Sequence, residues 1–306
     1  MPMARAERSI EAPRVRKRFE PGAVSASSAW RSRPMKILGI DIGGSALKGA
    51  PVDTVTGRLL AERHRIATPT RLSPKEMAAA AAEIARRFSW SGPVGIGFPG
   101  VVHGRRILTS ANLDPAFIGC DGVSLFARAT RCPVALVNDA AAAGLAEMTF
   151  GAGRGFTGKA LLLTLGTGVG SALFYRGMLY PCELGHLPLK GGRDAEKHVA
   201  ASVRERKDLS WEDWGSRLDD YIAILERILW PELIVIGGGV SAKHRKFFKY
   251  IRPRARLVPA RFLNEAGIVG AALWAVQAGL RPEMRGRRPP LVLRNIRRRR
   301  VSERNA

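Results

Sequence analysis

Three glycine turns, each expected at the C-terminal end of a β-strand, carry the residues of this 306-residue chain best placed to do chemistry. They are Asp41-Ile-Gly-Gly-Ser45 with Lys48 just beyond it, Leu165-Gly-Thr-Gly-Val-Gly170, and Ile236-Gly-Gly-Gly-Val240. Backbone N–H groups at such turns approach a phosphate closely because no Cβ stands in the way, and open α/β sheets bind ligands at that edge. The first turn adds a carboxylate, a hydroxyl and a cation: Asp41 for a magnesium–phosphate complex, Ser45 as a donor and Lys48 as a positive charge. Singly, each turn is as well explained as ordinary punctuation in a chain with 33 glycines. As a set they point to phosphate binding.

The elements that must hold these turns are legible as patterns. A short apolar run at 37–40 and the stretches 47–52 and 58–66 read as strands, and Ser73-Pro-Lys-Glu76 is a capping box with proline at the first helical position, opening a helix to about residue 88. Runs at 93–98 and 133–137 read as buried strands, and the alanines 140–143 begin a second helix. The second half repeats the theme: strand 160–165, glycine turn, strand 171–175, a helix from about 210 to 229 ended by Pro231, strand 233–236, and a closing helix from about 264 to 277. Two α/β lobes around one cleft are expected, with 37–138 plus 264–280 as the first lobe and 139–263 as the second.

The net charge of +24 invites a nucleic-acid reading, but its distribution argues otherwise. Residues 1–36 and 281–306 together hold 19 Lys and Arg against 5 Asp and Glu, so more than half the excess lies in two ends without apolar periodicity, both expected to be disordered. Met35, directly before the first strand, stands as an alternative start. Four Arg at 297–300 would give only non-specific, salt-sensitive affinity, and specific nucleic-acid binding is not expected. Cys120, Cys132 and Cys182 form no CxxC pair, so neither a disulfide framework nor a cysteine-rich zinc site is read, and a cytoplasmic setting is expected. No apolar stretch is long enough for a membrane span.

The chain resembles the superfamily of actin, sugar kinases and Hsp70 (the ASKHA phosphotransferases), and within it the ROK sugar kinases. Asp41-Ile-Gly-Gly-Ser45-Ala-Leu-Lys48 is similar to that superfamily's first phosphate loop, Leu163-Thr-Leu-Gly-Thr-Gly168 to the second, and Val235-Ile-Gly-Gly-Gly239 to the adenosine-side loop. Asn138-Asp139 and Glu183-Leu-Gly-His186 narrow the resemblance to ROK proteins. It implies the two-lobed fold and a site assembled from Gly43, Gly44, Ser45, Lys48, Gly166, Thr167, Gly168, Gly170, Gly237, Gly238 and Gly239 for the donor, with Asp41 acting on it through Mg²⁺. Asp139 is the candidate general base for a sugar hydroxyl, and Asn112, Asn138, Glu183, His186 and Glu196 are candidate sugar ligands. Blander readings remain beside these: Asn138 and Asp139 suit a helix cap, and a histidine near an acid is more often a structural pair.

ROK proteins commonly carry a cysteine cluster after the ExGH motif that binds zinc, whereas this chain has Leu187-Pro-Leu-Lys-Gly-Gly-Arg193 there, so no zinc is expected. That loss, with Arg204-Glu-Arg-Lys-Asp-Leu-Ser-Trp-Glu-Asp-Trp214, Trp90-Ser-Gly-Pro-Val-Gly95, Gly144-Leu-Ala-Glu147 and Gly151-Ala-Gly-Arg154, is similar to the polyphosphate glucokinases, which are homodimers. The resemblance implies glucose 6-phosphorylation from polyphosphate and possible use of ATP, with ATP-only hexokinase activity as the alternative and a sugar-responsive regulator as a weaker one. A polymeric donor needs cations beyond the loops; Arg204, Arg206 and Lys207 are the first candidates, and the seven basic residues between 243 and 256 a further set. Either run could instead be a solvated face.

Overall fold

The structure, a computed structural model, describes residues 35–282 apart from 45, 69–71, 111–112 and 190. Ser45, Asn112 and the stretches 1–34 and 283–306, two of them expected to be disordered, lie outside the described residues. The first half runs β1 (Lys36–Ile42), β2 (Ala46–Asp53), β3 (His64–Ala67), α1 (Pro74–Arg87), β4 (Val94–Phe98), the short pair β5 (Val102–His103) and β6 (Arg106–Ile107), α2 (Gly122–Thr130), β7 (Val134–Asn138) and α3 (Asp139–Thr149). The second half runs β8 (Ala160–Leu165), β9 (Val169–Tyr175), β10 (Met178–Pro181), α4 (Glu196–Val199), α5 (Ala201–Arg206), α6 (Trp211–Leu229), β11 (Leu233–Gly237), β12 (Arg256–Pro259) and α7 (Ala266–Gln277).

Two five-stranded mixed sheets result, ordered β3-β2-β1-β4-β7 and β10-β9-β8-β11-β12. In each, a parallel core is extended by antiparallel strands on one side. The period-two alternation of β1 sends Leu38, Ile40 and Ile42 to a core shared with α1 and α2, and Ile37 to a core shared with α3, α7 and the second sheet. The second sheet presents Leu162 and Val235 to that central core and Leu161, Leu163 and Ile236 to a third core under α4, α5 and α6. The molecule is thus five layers deep, with α3 and α7 sandwiched between the sheets.

Those two helices approach unusually closely. A Cβ on Gly270 of α7 would collide with the carbonyl of Ala142 in α3, and Cβ atoms on Gly39 and Gly95 would collide with the α7 backbone at Ile268 and Ala271. Glycine is therefore required for contact between backbones. Where the chain passes from α3 to β8 and from β12 to α7, the fully buried Glu147 accepts hydrogen bonds from the N–H groups of Ala152 (2.8 Å), Arg261 (2.8 Å) and Phe262 (2.7 Å).

Several expectations change in detail. Residues 58–63 do not extend β3: a turn through Gly57, which has φ +71°, returns Leu59 as a single bridge to Val52, and the mostly exposed 60–63 have no alternating apolar face. α7 begins at Ala266 because Leu263–Glu265 forms a 3-10 turn entered at positive φ. Phe248 and Tyr250 lie on a short 3-10 segment, and Phe247, at the junction with the preceding one, is fully buried against Trp211 and Trp214. Met35 and Lys36, counted with the N-terminal extension, belong to the fold: Met35 is buried, its carbonyl accepts from Thr54, and Lys36 begins β1. Arg281, counted with the C-terminal tail, donates to the carbonyls of Val276 and Leu280. Ser73 and Glu76 do form their reciprocal cap, and all three cysteines are free. Among the described residues no helix is long and apolar enough to cross a membrane.

Gly270→Ala should lower the unfolding free energy by about 1–3 kcal/mol, the usual cost of overpacking a tight core. A denaturant titration checks it: a lower midpoint with unchanged slope is expected.

Candidate active site

The register of β1 against β2 sets Lys48 directly opposite Asp41. Asp41 follows Ile37 and Gly39 on the face of β1 turned toward α7, and a Cβ on Gly267, the second residue of α7, would stand 2.5 Å from the Asp41 carboxyl carbon. Asp139 is the first residue of the neighbouring helix α3. Gly97, at the end of β4, lies between them: a Cβ there would be 3.8 Å from Asp41 Oδ1 and 3.6 Å from Asp139 Cα. Two carboxylates thus meet at the starts of the two sandwiched helices.

Their environment makes them unlike surface acids. Burial raises the Asp41 pKa, with Lys48 acting in the opposite sense. Burial, then the negative charges of Asp41 and Glu183, push Asp139 up to about 7, against the pull of the Ala140 N–H that donates to Asp139 Oδ1 at 2.7 Å. Both residues are only partly buried as a whole, while their carboxyl groups lie deep in the cleft.

Asn138 caps α3 through Oδ1, which accepts from Ala141 N–H at 2.9 Å, while Nδ2 donates to Gly100 O (3.2 Å) and Glu183 Oε1 (3.3 Å). Capping therefore leaves the amide nitrogen aimed into the cleft toward Glu183. Glu183 flanks a single 3-10 turn, Leu184–His186. Ser171 holds that turn by donating to Cys182 O at 2.8 Å and accepting from Leu184 N–H at 2.9 Å, and the Tyr221 hydroxyl donates to Leu184 O at 2.9 Å. Burial and the Glu196 charge raise the pKa of Glu183, and His186 opposes them.

His186 pairs with Asp194 at 3.5 Å, and the ligand atoms of His186, Asp194 and Glu196 all lie within 4.8 Å of one another. The group has no thiolate, is partly exposed, and Asp194 is also 3.4 Å from Lys197, a cation that competes for the carboxylate. Glu196 reaches the second glycine turn, since a Cβ on Gly168 would come within 2.6 Å of its Oε2. Asn138, Asp139, Glu183, His186 and Glu196 therefore form a continuous line from the first sheet to the second.

The donor turns gather around the same cleft. Gly43 N–H closes the first turn on Ala46 O at 2.9 Å, and Gly44 is exposed. Gly166 N–H bonds Gly168 O at 3.0 Å, and Ser202 of α5 clamps the second turn through Gly166 O (3.1 Å) and Thr167 O (2.7 Å). A side chain at Gly170 would strike Ala140, next to Asp139. Gly238, with φ +81°, packs on the backbone of Leu165, bringing the Gly237-Gly238-Gly239 turn beside the second one.

Of the basic candidates, Arg204 lines a pocket with Gly166, Thr167, Gly239, Trp211 and Lys243; Arg206 and Lys207 are exposed and do not. Lys207 stands instead with Arg217 and Arg193 around His198, whose pKa is lowered by burial first and then by these charges. Asp194, Ser171, Tyr221, Trp211 and Lys243 were missed as individual site residues. Lys243 carried a signal as the first cation of the 243–256 run and Trp211 as part of the 204–214 motif, whereas Ser171, Asp194 and Tyr221 are placed in the site by tertiary folding.

The ROK family model matches residues 37–200. The polyphosphate glucokinase of Mycobacterium tuberculosis is 41% identical over 241 residues, 78% of this chain and 91% of that protein. That of Mycobacterium leprae is 38% identical over 258 residues, 84% of this chain and 78% of that one. The crystal structure of an inorganic polyphosphate/ATP-glucomannokinase from Arthrobacter sp. strain KM superposes with a TM-score of 0.76 at 41% identity, covering 79% of this chain and 98% of that one. With the two-sheet architecture and the cleft between its halves, these matches establish that the chain belongs to the ROK family and has the two-lobed ASKHA fold.

Proposed function

We propose that this protein transfers the terminal phosphoryl group of inorganic polyphosphate, and also of ATP, to the 6-hydroxyl of glucose. The observation that carries the reading is Asp139, a cleft carboxylate pushed up to about 7 and flanked by Asp41 on the donor side and Glu183 on the sugar side. A base with that affinity for protons is matched to a hydroxyl attacking near neutral pH. The names of the relatives support the donor and sugar classes: polyphosphate glucokinase in both mycobacterial proteins, and polyphosphate, ATP and glucomannokinase in the Arthrobacter one.

In this reading Asn138, Glu183, His186 and Glu196, with Asn112, hold the sugar hydroxyls and direct O6 at the terminal phosphorus. Asp139 accepts the O6 proton as the O6–P bond forms and the bridging P–O bond breaks, releasing a chain one phosphate shorter. The turns of Gly43, Gly44 and Ser45 and of Gly166, Thr167, Gly168 and Gly170, with Lys48, receive the donor phosphates through N–H groups that are not already bonded within the turns, and Gly237, Gly238 and Gly239 border the adenosine of ATP. The residues also fit magnesium: Asp41 is a hard oxygen donor, its carboxyl packed against Gly267, where a Cβ would collide with it. Asp41 would hold Mg²⁺ through the donor phosphates, where the ion supplies neutralisation of their charge. We further propose the lobes 37–138 with 264–280 and 139–263, a homodimeric assembly and a cytoplasmic setting.

Asp139→Asn should lower kcat by about 10²–10⁴-fold, the usual contribution of a positioned base, while the circular dichroism spectrum is preserved. Retention of near-normal glucose phosphorylation would refute the base assignment. The pH profile of wild-type kcat/KM should rise through a midpoint near 7 as Asp139 loses its proton, and the Asn variant should lose that limb. Stability responds with the opposite sign. The native state keeps the Asp139 proton up to about 7, whereas the unfolded chain releases it near 3.8, so this residue's contribution to stability declines as pH rises between those values. Asp139→Asn should therefore unfold at higher denaturant than wild type at pH 8. Parallel assays with polyphosphate and ATP test the donor: turnover with ATP alone would remove polyphosphate and leave the sugar-kinase reading standing.

A further inference from the structure

A polyphosphate donor carries charge beyond the phosphates that the glycine turns can reach, and two basic patches flank α5 as possible continuations. One consists of Arg204, Lys243 and Lys246. The other, Arg193, Lys207 and Arg217 around His198, contributes nothing to the pocket at the second glycine turn. Two observations favour the first patch. Arg204 and Lys243 share a concavity with Gly166 and Thr167 on one wall and Gly239 on the other, so a chain leaving the second glycine turn enters it directly. The Arg204 guanidinium lies 3.8 Å from the ring centroid of Trp211, which itself stacks on the buried Phe247. An arginine held over a ring loses little freedom when it binds an anion. Arg204 Nε, like Arg217 Nη1 of the other patch, is buried without a hydrogen-bond partner, so this feature is common to both patches. Lys246 extends the line, its Nζ 5.7 Å from the same ring.

We infer that the polyphosphate chain runs from the second glycine turn through the groove made by Arg204, Trp211, Lys243 and Lys246, rather than past Arg206 and Lys207. The inference rests on the polyphosphate reading above and adds a direction to it. Trp211 acts here as a positioning residue, holding the guanidinium at the groove wall, while Arg204 and the two lysines touch the donor. Successive phosphates meet successive cations, so the contribution of Lys243 and Lys246 depends on the donor being long enough to reach them. Arg217 Nη1, also buried and unpartnered, marks the competing route.

The experiment is steady-state kinetics with tripolyphosphate, long-chain polyphosphate and ATP on wild type and on Arg204→Gln, Lys243→Gln, Lys246→Gln, Arg206→Gln, Lys207→Gln and Arg217→Gln, each over a range of salt. Arg204→Gln should raise KM for long-chain polyphosphate by about ten-fold, the scale of one lost charge-assisted contact. The two Lys variants should each raise it several-fold, with smaller changes for tripolyphosphate and ATP, and should each reduce the slope of log KM against log salt by about one. An unchanged circular dichroism spectrum and thermal midpoint report that each variant is folded. A larger effect at Arg206, Lys207 or Arg217 than at Lys243 and Lys246, or equal effects at every donor length, would overturn the groove while leaving polyphosphate use intact. Absence of polyphosphate turnover by wild type would instead remove the donor reading and the groove with it.

Discussion

The backbone contact between α3 and α7 is the constraint on which the rest of the structure depends. Gly270 admits α3, and Gly39 and Gly95 admit α7, so two helices share the space between two sheets. Each helix begins beside a carboxylate, α3 with Asp139 in its own first turn and α7 with Gly267 against Asp41. The partial positive charge of a helix start favours a carboxylate, whereas enclosure and mutual repulsion disfavour it. Here burial is the largest influence on both groups and leaves both above their ordinary values. The same packing that builds the central core therefore sets the proton affinity of the cleft.

How much of this the sequence revealed follows from the range of the interactions. Local signals read well: the Ser73 capping box, the glycine turns that end β1, β8 and β11, and Ser210 before the helix ended ahead of Pro231. Residues 58–63, expected as strand, are not one: Leu59 makes a single bridge to β2 and Leu60 is exposed. Within the site, Asp41, Asn138, Asp139, Glu183 and His186 were found through motifs that keep neighbours in sequence close in space. Asp194, Ser171 and Tyr221 were not: Tyr221 reaches the site from α6, and Ser171 and Asp194, although next to quoted motifs, act only through contacts that the fold creates.

Charge shows the same division. Counting basic residues along 204–207 treats neighbours as equivalent, but a helix turns successive side chains in different directions. Arg204 faces the glycine turns and Trp211, and Lys207 faces His198 on the far side of α5. Lys243, nearly forty positions later in the chain, is the nearer companion of Arg204 because the third glycine turn folds back onto the end of β8.

The buried carboxylate of Glu147 has a mechanical consequence. The chain crosses between the two sheets after α3 and again before α7, and both crossings are tied to the oxygens of this one residue through Ala152, Arg261 and Phe262. Any rotation of one sheet against the other must pivot about that pin or break its bonds. Displacement then grows with distance from the pin, so the lips of the cleft travel furthest while the crossings stay nearly still.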